Sequence, residues 1–133
     1  MFVILQGYAA LFDVLDNGGD IITRGAFAKS LRAIEVQGIP LLLRHNAKQQ
    51  LGMITIIWED QIGLYFRCAV PRWEKAWPFG LSFGYRAKHI TQEKHMRSDC
   101  PEFTRSLHQI DLIEIILVDD PMQPLARLDF ETD

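Results

Sequence analysis

Gly80-Leu81-Ser82-Phe83-Gly84-Tyr85 reads as a strand whose alternation sends Leu81, Phe83 and Tyr85 to one face and Ser82, Gly84 and Arg86 to the other. A small hydroxyl therefore projects away from the packed side. Glycine on both sides of Ser82 removes bulk where a substrate backbone could approach. A serine between glycines is most often an ordinary strand or turn residue, so the rest of the chain has to supply its partners. Working outward, apolar runs rich in β-branched and aromatic residues recur at 2–12, 39–45, 51–59, 64–70 and 106–118. Turn chemistry bounds them, as in Asp16-Asn17-Gly18-Gly19-Asp20 and Asp60-Gln61-Ile62-Gly63. One helix is expected early, capped by Thr23, with Phe27, Leu31 and Ile34 at i, i+4 and i+7 and Gly38 at its end. The pattern points to a mostly β, α+β fold with few helices.

At 133 residues the chain fits one domain, 1–133, with enough length to bury a core without metals or disulfides. Its 14 basic and 17 acidic residues form no long run of either sign, which argues against a nucleic-acid partner. The N-terminal MFVILQGYAALF lacks a charged leader and is broken by Gln6 and Gly7, and no run nears the roughly 18 apolar residues of a membrane span. A cytosolic location away from membranes is expected. Cys68 and Cys100 lie far apart with no CxxC spacing, which supports neither a disulfide framework nor a zinc ribbon. Cys68 shares a face with Leu64, Phe66 and Val70 and reads as a small core residue.

Three side chains carry candidate chemistry. His45 closes the run Ile39-Pro40-Leu41-Leu42-Leu43-Arg44-His45 where Asn46, Ala47 and Lys48 turn the chain, and a strand-end histidine can reach a substrate while the sheet holds it. Ser82 is exposed between its glycines. Glu114 sits in the apolar run 106–118, on one face with His108, Ile110, Leu112 and Ile116 by period two, whereas Asp111 falls on the other. A carboxylate among isoleucines calls for a partner. Nucleophile, base and carboxylate are the three roles of an acyl-transfer triad. His89, His95, Cys100 and His108 match no metal-ligand spacing, and no metal or cofactor is expected. Residues 91–104 (TQEKHMRSDCPEFT) read as a polar loop, and 71–78 (PRWEKAWP) fit either a loop or one helical turn that would place Trp73 and Trp77 on one face. Residues 125–130 read as an added edge strand.

In order along nearly the whole chain, Gly7-Tyr8-Ala9-Ala10-Leu11-Phe12, Gly19-Asp20-Ile21-Ile22 with Gly25-Ala26-Phe27, Leu42-Leu43-Arg44-His45, Leu51-Gly52 with Gly63-Leu64-Tyr65, GLSFGY, and Asp111-Leu112-Ile113-Glu114-Ile115 closing on Pro121 resemble the successive motifs of the prohead proteases of tailed bacteriophages. Such genes also occur in prophages and gene transfer agents. The resemblance implies a serine endopeptidase with a closed or partly closed antiparallel β-barrel of the herpesvirus-protease type. It would act inside the immature prohead in the host cytoplasm, removing the scaffold segment of the major capsid protein and often cleaving itself. A homodimer or assembly-activated oligomer is implied in the same way. Residue by residue, the family's base falls on His45, its nucleophile on Ser82 and its acidic member on Glu114, with Asp111 in reserve. Two departures stand out. Only PRWEKAWPFG remains where the family carries a longer helical insert, and Ile116 replaces a small polar residue two positions after Glu114. These departures keep open a weakened homologue acting as an internal scaffold or interaction domain in capsid assembly.

Overall fold

The computed structural model describes residues 2–33, 38–96, 98–99 and 102–129. In chain order the elements are β1 (Val3–Leu11), β2 (Asp20–Ile22), α1 (Ala28–Ala33), β3 (Pro40–Leu43), β4 (Asn46–Met53), β5 (Ile56–Glu59), β6 (Gly63–Val70), β7 (Gly80–Lys94) and β8 (Phe103–Val118). Among the described residues the chain is mostly β with one short helix. Among the described residues no helix is long and apolar enough to cross a membrane.

One sheet has the order β1-β6-β5 and is antiparallel throughout. The tight β5–β6 turn is held by Asp60, whose Oδ1 accepts the Ile62 and Gly63 amides at 2.7 and 3.0 Å. Inward alternation on β6 is complete, with Leu64, Phe66, Cys68 and Val70 all buried. Cys68 is thus a core residue, and burial pushes its thiol up to about 11.

The other sheet is built around β8. β7 pairs with it antiparallel, from Gly80↔Val118 to Lys94↔Phe103. β2 and β3 lie parallel to it, β2 at Arg105–Leu107 and β3 at Ile115–Leu117, and β4 flanks β3. Between those two short strands the β8 amides still need acceptors. Ile110 donates to the Ala26 carbonyl and Leu112 to Ser30 Oγ, both at 2.9 Å. The helix region therefore completes the strand edge. Phe27 lies at the centre of the core, 6.3 Å from Phe12 and 5.3 Å edge-on to Phe83 between ring centroids.

Several expectations change. The ladders form two sheets, and among the described residues no closed barrel is found. The run 51–59 is two strands in different sheets, because the chain bends at Ile54, which is buried and donates its amide to Ile39. Residues 91–94 and 103–104 are strand and not loop: cross-strand pairing overrides polar composition, helped by Lys94 over the Phe103 ring and by His95 meeting Thr104 Oγ1 at 2.7 Å. Thr23 does not cap the helix with its side chain, since its hydroxyl donates to Leu107 O, and α1 begins only at Ala28. Ile34 lies outside the described residues. Residues 71–78 form a loop with a turn at Lys75 and Ala76, and Trp73 and Trp77 lie edge-on at 5.3 Å.

The last segment is not an edge strand. Its bridges Gly80↔Arg127 and Gly7↔Leu128 place it between β7 and β1. Phe130 lies outside the described residues.

Candidate functional site

Leu81 is buried and Phe83 and Tyr85 pack on the core, so Ser82, between Gly80 and Gly84, faces outward from β7 as alternation requires. Ser82 pairs with Ile116 across the ladder, and Ile116 pairs in turn with Leu42 of β3. Leu42, Ile116 and Val118 make a small apolar cluster separate from the main core. The serine thus stands beside a dry apolar strip, on a rigid strand. An opening of about 70 Å³ borders the same strand, lined by Ser82 together with Leu81, Phe83, Tyr85 and Gln123.

Glu114 pairs with Gly84, and a Cβ added to Gly84 would lie 2.6 Å from its Oε1. Its carboxylate therefore lies over β7, two residues from Ser82, where only glycine leaves room. A β-bulge produces this placement: Gly84 pairs with Glu114 but Tyr85 with Leu112, leaving Ile113 as the extra residue. Period two along 106–118 is broken there. Ile110 and Leu112 join Ile115 and Leu117 in the core, and Glu114 no longer shares a face with Leu112 as the sequence pattern implied. The ion-pair partner expected for Glu114 is absent among the described residues. Half exposed, the carboxylate keeps water and leaves no buried charge to compensate. Asp111 is further from Ser82 and pairs with Lys88 at 3.5 Å.

His45 is exposed in the turn between β3 and β4, which sits at Arg44 and His45, with Asn46 already in β4. It lines a depression with Arg44, Val118, Asp119 and Asp120. β8 separates its strand from β7, so two interstrand spacings, roughly 10 Å, lie between β3 and β7. The structure brings Ser82 and Glu114 together and leaves His45 across β8. No hydrogen bond joins the three among the described residues. Sequence reading missed Arg44 and the two aspartates beside His45. Arg44 has φ of 48° and binds Asp119 at 2.9 and 3.4 Å, holding that carboxyl below the usual carboxylate range. The adjacency of Arg44 and His45 to Asp119-Asp120 depends on the parallel β3–β8 register, which the sequence does not display.

The rings of His89 and His108 lie 5.1 Å apart at a tilt of 40°, and the Thr23 and Thr91 hydroxyls meet the two ring nitrogens of His108. Among the described residues no three His, Cys, Asp or Glu side chains converge as a metal site. Cys100 lies outside the described residues.

An outward serine framed by glycines, with a carboxylate on the neighbouring strand, can be compared with known proteins. A stretch of 65 residues is 35% identical to the prohead protease of Enterobacteria phage HK97, spanning 48% of this chain and 28% of that protein. The family model described as caudovirus prohead serine protease matches residues 1–133. With that match running over the segments that carry His45, Ser82 and Glu114, the chain belongs to the caudovirus prohead serine protease family.

Proposed function

We propose that this chain is a serine endopeptidase of capsid maturation, one protease domain over residues 1–133, with Ser82 as nucleophile, His45 as base and Glu114 as the acidic member. The observation that carries it is Ser82 on the outer face of β7 with Glu114 lying over Gly84 beside it. His45 takes the Ser82 proton as Ser82 attacks the scissile carbonyl, and backbone amides hold the oxyanion. The C–N bond breaks as His45 passes its proton to the leaving amine, and a water deprotonated by His45 then releases the acyl group, His45 returning the proton to Ser82. Productive geometry requires the Arg44–His45 turn to lean over β8, which suits activation by substrate or by association of copies. The substrate is the scaffold segment of the major capsid protein, and the chain itself at a susceptible loop, inside the prohead. The backbone bonds from residues 126–129 to both β1 and β7 support a barrel-like arrangement of the herpesvirus-protease type. The engagement of Asp111 by Lys88 favours Glu114 as the third member.

A second reading has its own observation: His45 lies across β8 from Ser82, as expected of a homologue that has lost turnover and serves as an internal scaffold. Fluorophosphonate labelling with peptide mapping, at low and high protein concentration, separates the two. Labelling confined to Ser82 and lost in His45→Ala supports the protease, and each of Ser82→Ala and His45→Ala should cost on the order of 10⁴ in rate. Folded protein that stays unlabelled at every concentration, with capsid protein present or absent, leaves the scaffold reading.

A further inference from the structure

A groove of about 380 Å³ opens where β7 begins, walled by Trp77, Pro78, Phe79 and Pro121 and reached by Asp119 and Arg127. It adjoins the proposed nucleophile. Arg127 bridges Gly80, which stands two residues before Ser82 on β7. Its neighbours Ala126 and Leu128 are buried in the core, so alternation turns Arg127 to the same outer side as Ser82. On the outer side of Gly80 a Cβ would meet Val118 O at 2.5 Å and the Pro121 ring at 2.8 Å, so Pro121 borders the way from Ser82 to Arg127. An extended peptide leaving Ser82 along the Pro121 wall of the groove reaches Arg127 within a residue or two.

The charge of this groove is one-sided. Asp119 is bound by Arg44, and Glu74, on the neighbouring turn, is bound by Arg72 and the Trp77 indole. Among the described residues the Arg127 guanidinium has a single carbonyl, that of Pro124, as partner at 3.0 Å. Phe79 stacks on Trp73 at 5.6 Å and is still half exposed, giving the cation an apolar floor. Arginine with free donors beside aromatic surface suits a carboxylate on an aliphatic stem.

We propose that Arg127 and the Trp77–Phe79 wall form a specificity subsite that selects an acidic side chain near the scissile bond. This rests on Ser82 being the nucleophile. Arg127 is a specificity residue, distinct from the catalytic groups.

The test is cleavage-site profiling with a proteome-derived peptide library, sites being read by mass spectrometry for wild type, Arg127→Gln, Arg127→Glu and Arg127→Lys. Fluorophosphonate labelling of Ser82 serves as the control for fold and nucleophile. Wild type should enrich Asp and Glu at one position flanking the cleaved bond, by about five-fold for one solvent-exposed ion pair. Arg127→Gln should abolish that enrichment, Arg127→Glu should invert it toward Lys and Arg, and Arg127→Lys should retain part of it, all with labelling preserved. Labelled wild type with no acidic preference, or with one unchanged in Arg127→Glu, overturns the subsite while leaving Ser82 as nucleophile. An unlabelled wild type overturns the catalytic reading and the subsite with it.

Discussion

Gly84 has a role that its place beside Ser82 does not reveal. A methyl group there would meet the Cγ and Oε1 of Glu114 at 2.6 Å, and those atoms belong to a flexible, half-exposed side chain. Gly84→Ala should therefore displace the carboxylate while leaving the sheet intact. We expect a stability change within about 1 kcal/mol by urea unfolding, because the clash is relieved by rotation and not by backbone movement. The rate of Ser82 labelling should fall about tenfold, in step with Glu114→Gln, if the carboxylate serves the site. A well-folded Gly84→Ala protein that labels at the wild-type rate would detach Glu114 from the chemistry. The outward Ser82 and its flanking glycines are legible from alternation alone. The seat of Glu114 over Gly84 is not, because it depends on the register between two strands and on the bulge at Ile113.

Helix α1 has six described residues, a length that could not persist by propensity alone. Tertiary bonds hold it. Glu59 of β5 accepts the buried Phe27 amide at 2.7 Å, and Ser30, itself buried, accepts the Leu112 amide of β8. Ser30→Ala should cost about 1–3 kcal/mol in urea unfolding, since it leaves a strand amide without an acceptor. Glu59 adds a pH dependence. Burial raises its pKa above the ordinary 4.5, more than its bond to Phe27 and the nearby Arg32 lower it. The folded state thus holds this proton more tightly than the unfolded chain, and its contribution is largest at low pH. Stability relative to Glu59→Gln should decline as pH rises from about 4.5 through the raised value. Glu59→Gln keeps the acceptor, so a flat difference across that range would reject burial as the controlling effect. The apolar stripe of Phe27 and Leu31 is visible in the sequence. The role of Ser30 is hidden, because nothing local distinguishes a helix serine that completes a distant strand edge from one facing water.

At the scale of the whole molecule, the two sheets meet through a segment with no regular pattern. Leu81 donates to Ala126, Leu128 to Phe79 and Asp129 to Gln6, so residues 126–129 bind both β7 and β1. The positions of most strands and the core face of β6 could be read from periodicity, but this seam could not, since isolated bridges have neither period nor length. What fixes it in place is Gln123. Its buried amide accepts from Leu11 N at 2.7 Å and donates to Leu11 O at 2.8 Å, tying the segment to the end of β1. Gln123→Ala removes both bonds and should cost about 2–3 kcal/mol, with two backbone groups left unsatisfied. If the seam opens as a unit of its own, the loss is not shared evenly over the fold. Native-state hydrogen exchange should then speed up at the Leu81, Leu128 and Asp129 amides by ten-fold or more beyond any change at Phe66 and Cys68 in β6. Equal acceleration at all five would mean that the seam opens only with global unfolding. Because Gly80 and Arg127 pair within this same seam, a local opening would also loosen the groove beside Ser82, and Gln123→Ala would weaken substrate selection while both sheets persist.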